Sequence, residues 1–298
     1  MGLIVDESNN TRIDLYLSNN TEYSRNKIVK MIKEELILVN GKKVKNSYIV
    51  KKDDIIEIEE PEEEVMDITP EDIPLDIVYE DDDVMVINKP NNMVVHPAVG
   101  NNTGTLVNAL VYYSDSLSNI NGSFRPGIVH RIDADTTGLL MVAKNNNAHK
   151  ILAKELEEKK TTRKYIALVW GVIKEDTATI DAPIGRDLND RKKMAVTAIN
   201  SKDAVTHLKV LKRYKNATLI ELQLETGRTH QIRVHMNYIG HPVVNDPVYG
   251  KRKVFDESGQ CLHAKTIGFK HPKTGKYMEF DSELPECFIN IQKKLEEE

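Results

Sequence analysis

Residues 126–143 read PGIVHRIDADTTGLLMVA, a polar stretch that leads through a Thr-Thr-Gly turn into an apolar run. The run at 139–143 predicts a buried β-strand, because strands covered on both faces are apolar throughout. Two carboxylates, Asp133 and Asp135, come just before it. Polar residues at the end of a buried strand often carry chemistry, but aspartates there also form turns by bonding to nearby backbone. The stretch therefore predicts the strand and leaves both roles open for the carboxylates.

The segments around this strand predict further strands and helices without an internal repeat. In chain order they are a strand at 84–88, a helix capped by Thr105, a helix marked by Ala148, Ile151, Leu152 and Leu156, a strand at 164–170, strands at 205–211 and 218–224, and a helix at 229–238 closed by Gly240. Apolar spacing and the capping residues carry these assignments. The mixture indicates an α+β domain around one large mixed sheet.

The length and composition favour a protein of the reducing cytoplasm. The 298 residues contain no run of about 18 apolar residues, the length that a membrane span requires. We expect no signal peptide, and Gly2 is not followed by the Ser or Thr at position 6 that myristoylation requires. Cys261 and Cys287 are the only cysteines and do not form a metal-type pair. We therefore expect cytoplasmic localisation, no membrane partner and a monomer.

The net charge of −5 conceals a basic protein with one acidic segment. Residues 53–83 contain 16 Asp and Glu and no Lys or Arg, which leaves 30 acidic residues against 41 basic ones elsewhere. Residues 24–52 alone contain nine Lys and Arg against two glutamates. A charge run is commonly just a solvated face, but a basic cluster on a small folded module also suits nucleic-acid phosphates.

The basic N-terminal segment predicts two helices followed by a hairpin. RIDLYL (12–17) begins a short helix, and Ser24 is a suitable cap for a second helix with apolar Ile28, Met31, Ile32 and Leu36. Asn40-Gly41 follows, the strongest short signal for a two-residue hairpin turn. The stretches RIDLYL, SRNKI and ILVNGKKVKNSYIVKKDDIIEI resemble an S4 domain, a small RNA-binding fold. The resemblance implies that Lys42, Lys43 and Lys45 contact RNA.

Two later segments supply further candidate residues. On the predicted helix at 229–238, His230, Arg233 and Asn237 share a face because they are spaced i, i+3 and i+7. Tyr165 lies in the predicted strand RKYIALVWG (163–171). Taken singly, an arginine of this kind more often pairs with a structural carboxylate, and a strand tyrosine more often packs in the core.

Together, GIVHRIDADTTGLLMVAK, RKYIALVWG and LETGRTHQIRVHM resemble the RluA/RluD family of ribosomal large-subunit pseudouridine synthases. VMVINKPNNMVVHPAVG, KMAVTA, GHPVVNDPVYG and CLHAKTIGF, together with the PIGRD stretch around Arg186, fit the same family, so the resemblance extends from about residue 75 to the C-terminus. The N-terminal S4-like module is typical of the RluD type. Ile132, Ala134 and Asn245 depart from the usual residues, and Ala134 stands where a basic residue is frequent.

The resemblance implies a role for each candidate residue. Asp133 is the catalytic nucleophile, Arg233 keeps it ionised and oriented, and Tyr165 stacks near the target base and relays a proton. Leu262 packs beside the base, while His130 and Arg131 contact the substrate backbone around a flipped-out uridine. Asp135 is assigned to the turn. The resemblance implies no cofactor and no metal, and large-subunit ribosomal RNA as the partner; it leaves open whether Asp133 attacks the ribose or the base.

The expected organisation is a small N-terminal S4-like RNA-binding domain at 1–60, an acidic, proline-containing linker at 61–74 and a pseudouridine synthase catalytic domain at 75–298. We expect the catalytic domain to be built on a large mixed, mainly antiparallel β-sheet with flanking helices, which makes the chain α+β.

Two other function classes predict different observations. A metal-dependent hydrolase would use Asp133, Asp135, His230 and His235, although these residues form no compact ligand motif. A non-catalytic RNA-binding or assembly protein would depend on the S4-like module and would not need Asp133, Tyr165 and Arg233 together.

Overall fold

The computed structural model describes residues 2–6, 10–21, 23, 25–59, 68–97, 100–114, 116–120, 126–190, 193–250 and 253–298. The chain divides into two compact units, Met1–Val65 and Met66–Glu298, each with its own buried apolar cluster. Within the described ranges, every helix is too short or too polar to cross a membrane.

The first unit packs two helices with a four-stranded sheet. Its elements are β1 (Gly2–Ile4), α1 (Ile13–Asn20), α2 (Arg25–Lys33), β2 (Ile37–Val39), β3 (Lys42–Lys43) and β4 (Ile55–Ile58). All pairs are antiparallel, in the order β1-β4-β2-β3. Ile28, Met31 and Ile32 of α2 are buried in one cluster with the strands, as their helical spacing predicted. The expected cap of α2, Ser24, lies outside the described residues.

The β2–β3 hairpin turns at Asn40 and Gly41, as predicted. Both residues have positive φ, 50° and 69°, the conformation that a two-residue turn with the twist of the flanking strands requires. The Asn40 side chain accepts from the Ile55 amide at 2.9 Å and donates to Asp54 Oδ1 at 2.9 Å. The turn residue thus ties the hairpin to β4.

The second unit is organised around a nine-stranded sheet. Its strands are β5 (Ile77–Glu80), β6 (Val84–Lys89), β7 (Thr137–Ala143), β8 (Thr162–Trp170), β9 (Thr177–Asp181), β12 (Val205–Arg213), β13 (Ala217–Leu224), β14 (Leu262–Lys270) and β15 (Tyr277–Asp281), with β10 (Ile184–Arg186) and β11 (Met194–Val196) in a separate two-stranded sheet. The order is β5-β6-β7-β14-β8-β13-β12-β9, and β15 pairs with β14. Among the described strand pairs, β7 with β14 is parallel and the rest are antiparallel. This mixed, mainly antiparallel sheet confirms the predicted α+β class.

In the described part of the second unit, four helices accompany this sheet. They are α3 (Leu106–Tyr113), α4 (Asn146–Glu157), α5 (Gln231–Tyr238) and α6 (Glu286–Glu297). Thr105 caps α3 in a reciprocal arrangement with Asn108, which satisfies two amides at the helix start. The helix predicted at 229–238 begins two residues later, because His230 has a left-handed backbone (φ 56°) that α-helix does not continue through.

The predicted Thr-Thr-Gly turn is partly strand, because Thr137 and Gly138 are the first two residues of β7, and Gly138 is needed there for close packing. Gly138 has φ +107°, and a Cβ there would lie 2.3 Å from the Ala264 carbonyl oxygen on β14. The glycine therefore allows β7 to enter the sheet directly beside β14. All seven residues of β7 are buried, as the apolar run predicted.

The second half of the predicted linker belongs to the second unit. Residues 60–67 lie outside the described residues. After them, the Asn108 side chain of α3 donates to the Thr69 carbonyl at 2.9 Å, and the Glu71 amide donates to the Asn108 carbonyl at 3.1 Å. Thr69 and Glu71 are thus hydrogen-bonded to α3, contacts that the acidic, proline-rich composition of the predicted linker did not indicate.

Candidate active site

Asp133 lies in the tight turn that leads into β7. The Thr136 amide donates to the Asp133 carbonyl at 3.1 Å, which closes the turn. The next residue, Ala134, is held by Lys89 at the end of β6. Lys89 Nζ donates to the Ala134 carbonyl at 2.7 Å. Lys89 is 1% exposed, and the same Nζ also donates to the Pro90 and Met93 carbonyls. Burial lowers the pKa of Lys89 to about 7, against the attraction of Asp135 and Asp133, and the three carbonyls match the three donors of its protonated form.

Arg233 of α5 joins two carboxylates that are distant in sequence. Its Nη1 donates to Asp133 Oδ2 at 2.9 Å. Its Nε and Nη2 donate to Asp246 Oδ2 and Oδ1 at 2.7 and 2.9 Å. A bidentate pair of this kind fixes the plane of the guanidinium group, so that its remaining edge faces Asp133.

The three side chains differ in their access to solvent. The side chains of Asp246 and Arg233 are 0% and 5% exposed, whereas that of Asp133 is 24% exposed. Burial alone would raise the pKa of Asp246, but the hydrogen bonds and charge of Arg233, with the amides of Val248 and Tyr249, hold it below its ordinary value. Burial likewise opposes the charge of Arg233, yet the two carboxylates raise its pKa. Asp133 is therefore the accessible end of a buried ionic network.

Asp133, Tyr165, Arg233 and Leu262 line one pocket, together with Arg131. Its empty volume is about 530 Å³, including the part that is open to solvent. Tyr165 on β8 is buried, and burial raises the pKa of its phenol, with Arg163 opposing the shift and Asp133 adding to it. Leu262 begins β14 and pairs with Ala167, which places it next to the β8 segment that carries Tyr165.

His230 lies at the rim of the same pocket. Its Nε2 is 3.9 Å from Asp133 Oδ1, and its Nδ1 is joined to the Tyr249 hydroxyl at 2.9 Å. The Arg233 guanidinium also lies over the Tyr249 ring, with its Cζ 5.1 Å from the ring centre. Burial lowers the pKa of His230, against the attraction of Asp133, so the neutral imidazole is favoured.

The two predicted backbone-contacting residues have different surroundings. Arg131 is exposed at the rim of the pocket and donates to Thr229 Oγ1 at 3.0 Å. His130 lines an adjacent cleft, and its Nε2 accepts from the Met141 amide of β7 at 3.1 Å. Burial lowers the pKa of His130 to about 3. His130 is thus neutral, and its Nε2 is engaged by the β7 backbone. Its contact with RNA stays a prediction.

The predicted lysines of the first unit lie on the hairpin. Lys42 and Lys43 form β3, Lys45 follows it, and all three are exposed. Lys43 pairs with Glu35. These positions suit contact with phosphates.

The residues proposed for a hydrolase do not converge on one metal site. His235 is buried, and its Nδ1 is hydrogen-bonded to Thr206 Oγ1 and its Nε2 to the Ala182 carbonyl. Both ring nitrogens therefore have partners within the fold. In the described part of the chain, the one group of potential ligands that lie close together is Asp81, Asp83 and His271, outside the pocket. Asp81 already accepts from Tyr79, His271 and two backbone amides.

Asp246, Lys89 and Arg163 contribute to the site although the sequence motifs assigned them no role. Asp246 and Lys89 are in quoted motifs, GHPVVNDPVYG and VMVINKPNNMVVHPAVG, but neither has a spacing that links it to Asp133. Arg163 lies two residues before Tyr165, so alternation along a strand places both side chains on one face. That signal was available for Arg163.

Comparisons with known proteins identify the family to which the chain belongs. The family described as RNA pseudouridylate synthase matches residues 83–238, and the S4 domain family matches residues 11–56. A Bacillus subtilis (strain 168) protein named "Uncharacterized RNA pseudouridine synthase YlyB" is 53% identical over 291 residues, which cover 97% of this chain and 96% of that protein. The Pseudomonas aeruginosa ribosomal large subunit pseudouridine synthase D is 43% identical over 281 residues, covering 90% and 86%.

A solved structure, human RNA pseudouridylate synthase domain containing 1, superposes with a TM-score of 0.57 at 27% identity, covering 74% of this chain and 94% of that one. The family match spans the segment that holds Asp133, Tyr165 and Arg233, and the relatives extend the similarity over nearly the whole chain. The chain therefore belongs to the RluA/RluD family of RNA pseudouridine synthases and carries an S4 domain at its N-terminus.

Proposed function

We propose that this enzyme isomerises specific uridines of large-subunit ribosomal RNA, with Asp133 as the nucleophile. The isomerisation breaks the bond between uracil N1 and ribose C1′ and forms a bond between C5 and C1′. The proton on C5 is lost and N1 gains one, so the product contains the atoms of the substrate. No oxidant, reductant or nucleotide is consumed.

The observation that carries the proposal is the asymmetry around Asp133. One carboxylate oxygen is held by Arg233 at 2.9 Å, while the other has His230 Nε2 only at 3.9 Å and the side chain remains 24% exposed in the pocket. A carboxylate fixed on one side and accessible on the other is suited to form a covalent bond to substrate and then to leave. This geometry serves attack on ribose and attack on the base equally.

Tyr165 and Leu262 supply the surfaces for a flipped uracil. An aromatic ring and an aliphatic side chain in one pocket can enclose a planar base, which offsets part of the few kcal/mol that unstacking costs. Since burial raises the pKa of Tyr165, its phenol is protonated at neutral pH. Tyr165 is therefore suited to stack against the base. A protonated phenol can also relay a proton, by accepting one while it donates its own, but it is a poor base by itself.

Ribosomal RNA is proposed as the substrate on two grounds. The Pseudomonas aeruginosa relative is named for the ribosomal large subunit. The S4 domain presents exposed Lys42, Lys43 and Lys45, which suit a structured polyanion.

The test is to map pseudouridines in large-subunit RNA from cells with and without this protein. Sites that disappear should return with the wild-type gene and with Asp82→Asn, which changes an exposed aspartate, but not with Asp133→Asn. Purified Asp133→Asn should still bind the RNA. Full restoration of pseudouridine by Asp133→Asn would contradict the nucleophile assignment, whereas loss of sites in another RNA alone would contradict the ribosomal substrate.

A further inference from the structure

Arg163 is a buried arginine with few partners. It is 7% exposed, its Nε has no hydrogen-bond partner among the described residues, and Nη2 makes one long bond to the Glu225 carbonyl at 3.4 Å. A guanidinium group has five N–H donors, and burying them unpaired is costly. The fold therefore holds a cation whose hydrogen-bonding capacity is largely unused.

Arg163 lies where the substrate pocket meets a second cleft. That cleft is also lined by His96 and Lys159, and the two cavities share Arg131, Arg163, Gly227 and Arg228. Three arginines thus occupy the border between the two cavities.

These three arginines lack carboxylate partners. In the described ranges, none of their guanidinium nitrogens lies within 4.0 Å of a carboxylate oxygen. Arg131 donates to Thr229 Oγ1, and Arg228 Nε donates to the Asp203 carbonyl at 2.9 Å. The nearby carboxylate of Glu225 is already paired with Lys159 and His207. The border therefore carries three guanidinium groups without a directly paired carboxylate in the described ranges, while Glu157 and Glu225 line the second cleft.

Gly227 leaves the space that Arg163 occupies. A Cβ at this position would lie 2.8 Å from Arg163 Nη1, and the Gly227 backbone is not in the left-handed region. A side chain at position 227 would therefore require the Arg163 guanidinium to move, whereas the backbone conformation does not itself demand glycine. Gly227 is itself exposed and lines both cavities together with Arg163.

We propose that Arg163, flanked by Arg131 and Arg228, forms a phosphodiester subsite for the phosphate next to the flipped uridine. A nucleotide that enters the pocket of Asp133 and Tyr165 must keep its phosphates at the rim, and the planar fork of arginine fits two phosphate oxygens. Uracil is neutral and offers no charge to balance three arginines. Since the contact forms only when the uridine is flipped, it stabilises the reactive conformation rather than overall RNA binding.

The test uses a short RNA cut from whichever RNA the wild-type enzyme converts, so an incorrect ribosomal assignment changes the oligonucleotide but not the experiment. Versions with one uncharged methylphosphonate on the 5′ or the 3′ side of the target uridine are compared in single-turnover reactions. The enzymes are wild type, Arg163→Met, Arg163→Lys and Gly227→Ala, with Lys209→Met as a control at an exposed lysine outside both cavities.

Methylphosphonate at one of the two positions should slow the wild type by about tenfold to a hundredfold, the range expected for charge-assisted hydrogen bonds. The same modification should slow Arg163→Met little further, because the contact is already lost. Arg163→Lys should recover part of the rate, and Gly227→Ala, which displaces the guanidinium, should resemble Arg163→Met. RNA affinity should change little in each case.

Multiplicative losses for Arg163→Met and the methylphosphonate at both positions would overturn the proposal. So would coupling of Arg163→Met to a 4-thio substitution of the target uracil without coupling to either phosphate, since that result places the guanidinium on the base. If Arg163→Met does not fold, the wild-type and Gly227→Ala comparison gives the same decision.

Discussion

Arg233 binds Asp246 through two hydrogen bonds, Nε to Oδ2 at 2.7 Å and Nη2 to Oδ1 at 2.9 Å. This leaves Nη1 for Asp133 at 2.9 Å. The fully buried carboxylate therefore sets the orientation of the arginine, and the arginine sets the orientation of the accessible carboxylate. Asp246 acts through Arg233 and is a positioning residue.

Asp246→Asn should reduce the single-turnover rate by about 100-fold, because an amide cannot accept both guanidinium bonds and Arg233 would turn away from Asp133. Removing one partner of a buried ion pair should also lower the free energy of unfolding by about 3 kcal/mol. Urea unfolding and rates on one RNA measure both effects, at a temperature where the variant is folded. Asp82→Asn is the control, and a folded Asp246→Asn protein with an unchanged rate would contradict the positioning role.

The sequence predicted the local elements of this site better than their arrangement. The apolar run of β7, the Thr105 cap and the Asn40-Gly41 turn are set by neighbouring residues, and each was confirmed. The insertion of β14 between β7 and β8 depends on pairs of residues 95 to 126 positions apart, which periodicity does not encode.

The partners of Asp133 show the same limit. Arg233 was a candidate from its helix face and its motif, but Asp246 is 13 residues further along, beyond the end of α5. Its contact depends on how the chain returns after Gly240. The α5 start was predicted two residues early, because spacing alone does not reveal the left-handed backbone of His230.

Lys89→Met should destabilise the catalytic domain and misplace the Asp133 turn. Lys89 Nζ donates to the carbonyls of Pro90, Met93 and Ala134 at 2.7–2.9 Å, and methionine of similar length would leave all three without this donor. We expect a loss of about 3 kcal/mol in the free energy of unfolding, since each buried unpaired carbonyl costs about 1 kcal/mol or more. The activity of the folded fraction should also fall. Urea unfolding and the rate per folded molecule test both, with Lys209→Met as the control; equal stability would contradict the role of Lys89.

Asp81 should make the catalytic domain sensitive to acid. Burial opposes its charge, but hydrogen bonds from Tyr79, His271 and the amides of Asp83 and Val84 lower its pKa to about 2. An unfolded aspartate has a pKa of about 3.9, so between these values the unfolded chain binds more protons and stability rises with pH. The contribution, about 2.6 kcal/mol, is complete above about pH 5 and is lost progressively as the pH falls through 4 towards 2.

Urea unfolding of wild type and Asp81→Asn from pH 3 to pH 7 measures this contribution. The difference between the two proteins should be largest near neutral pH and should shrink below pH 4. A difference that stays constant across the series would show that the Asp81 carboxylate does not carry the effect.

Activity should be unaffected by EDTA and should need no added nucleotide. The isomerisation has no redox step and no leaving group to activate, and His235 is occupied by Thr206 and the Ala182 carbonyl rather than facing the pocket. The measurement uses a short RNA whose folding does not require magnesium, so chelation acts on the protein alone. Activity that EDTA abolishes and zinc restores would favour the hydrolase interpretation of Asp133 and its neighbours.

The S4 domain should contribute RNA affinity without contributing to catalysis. Residues Met1–Val65 have an apolar cluster of their own, as does the unit Met66–Glu298, so removal of residues 1–65 should leave a folded catalytic domain. That fragment should still isomerise uridine in a short RNA but bind structured ribosomal RNA more weakly. The salt dependence of its binding should be shallower, because fewer phosphates are neutralised.

Replacing Lys42, Lys43 and Lys45 together with glutamine should act in the same direction. The three side chains are exposed, so the substitutions should leave the melting temperature of the protein nearly unchanged. Each lost phosphate contact should reduce the slope of log affinity against log salt by about 0.7 to 0.9. Affinities of full-length, truncated and triple-lysine proteins across one salt series measure this, with Lys209→Gln as the control. Equal affinities and slopes in all of them would show that the hairpin lysines do not bind RNA. The RNA affinity of the full-length protein would then come from the catalytic domain alone.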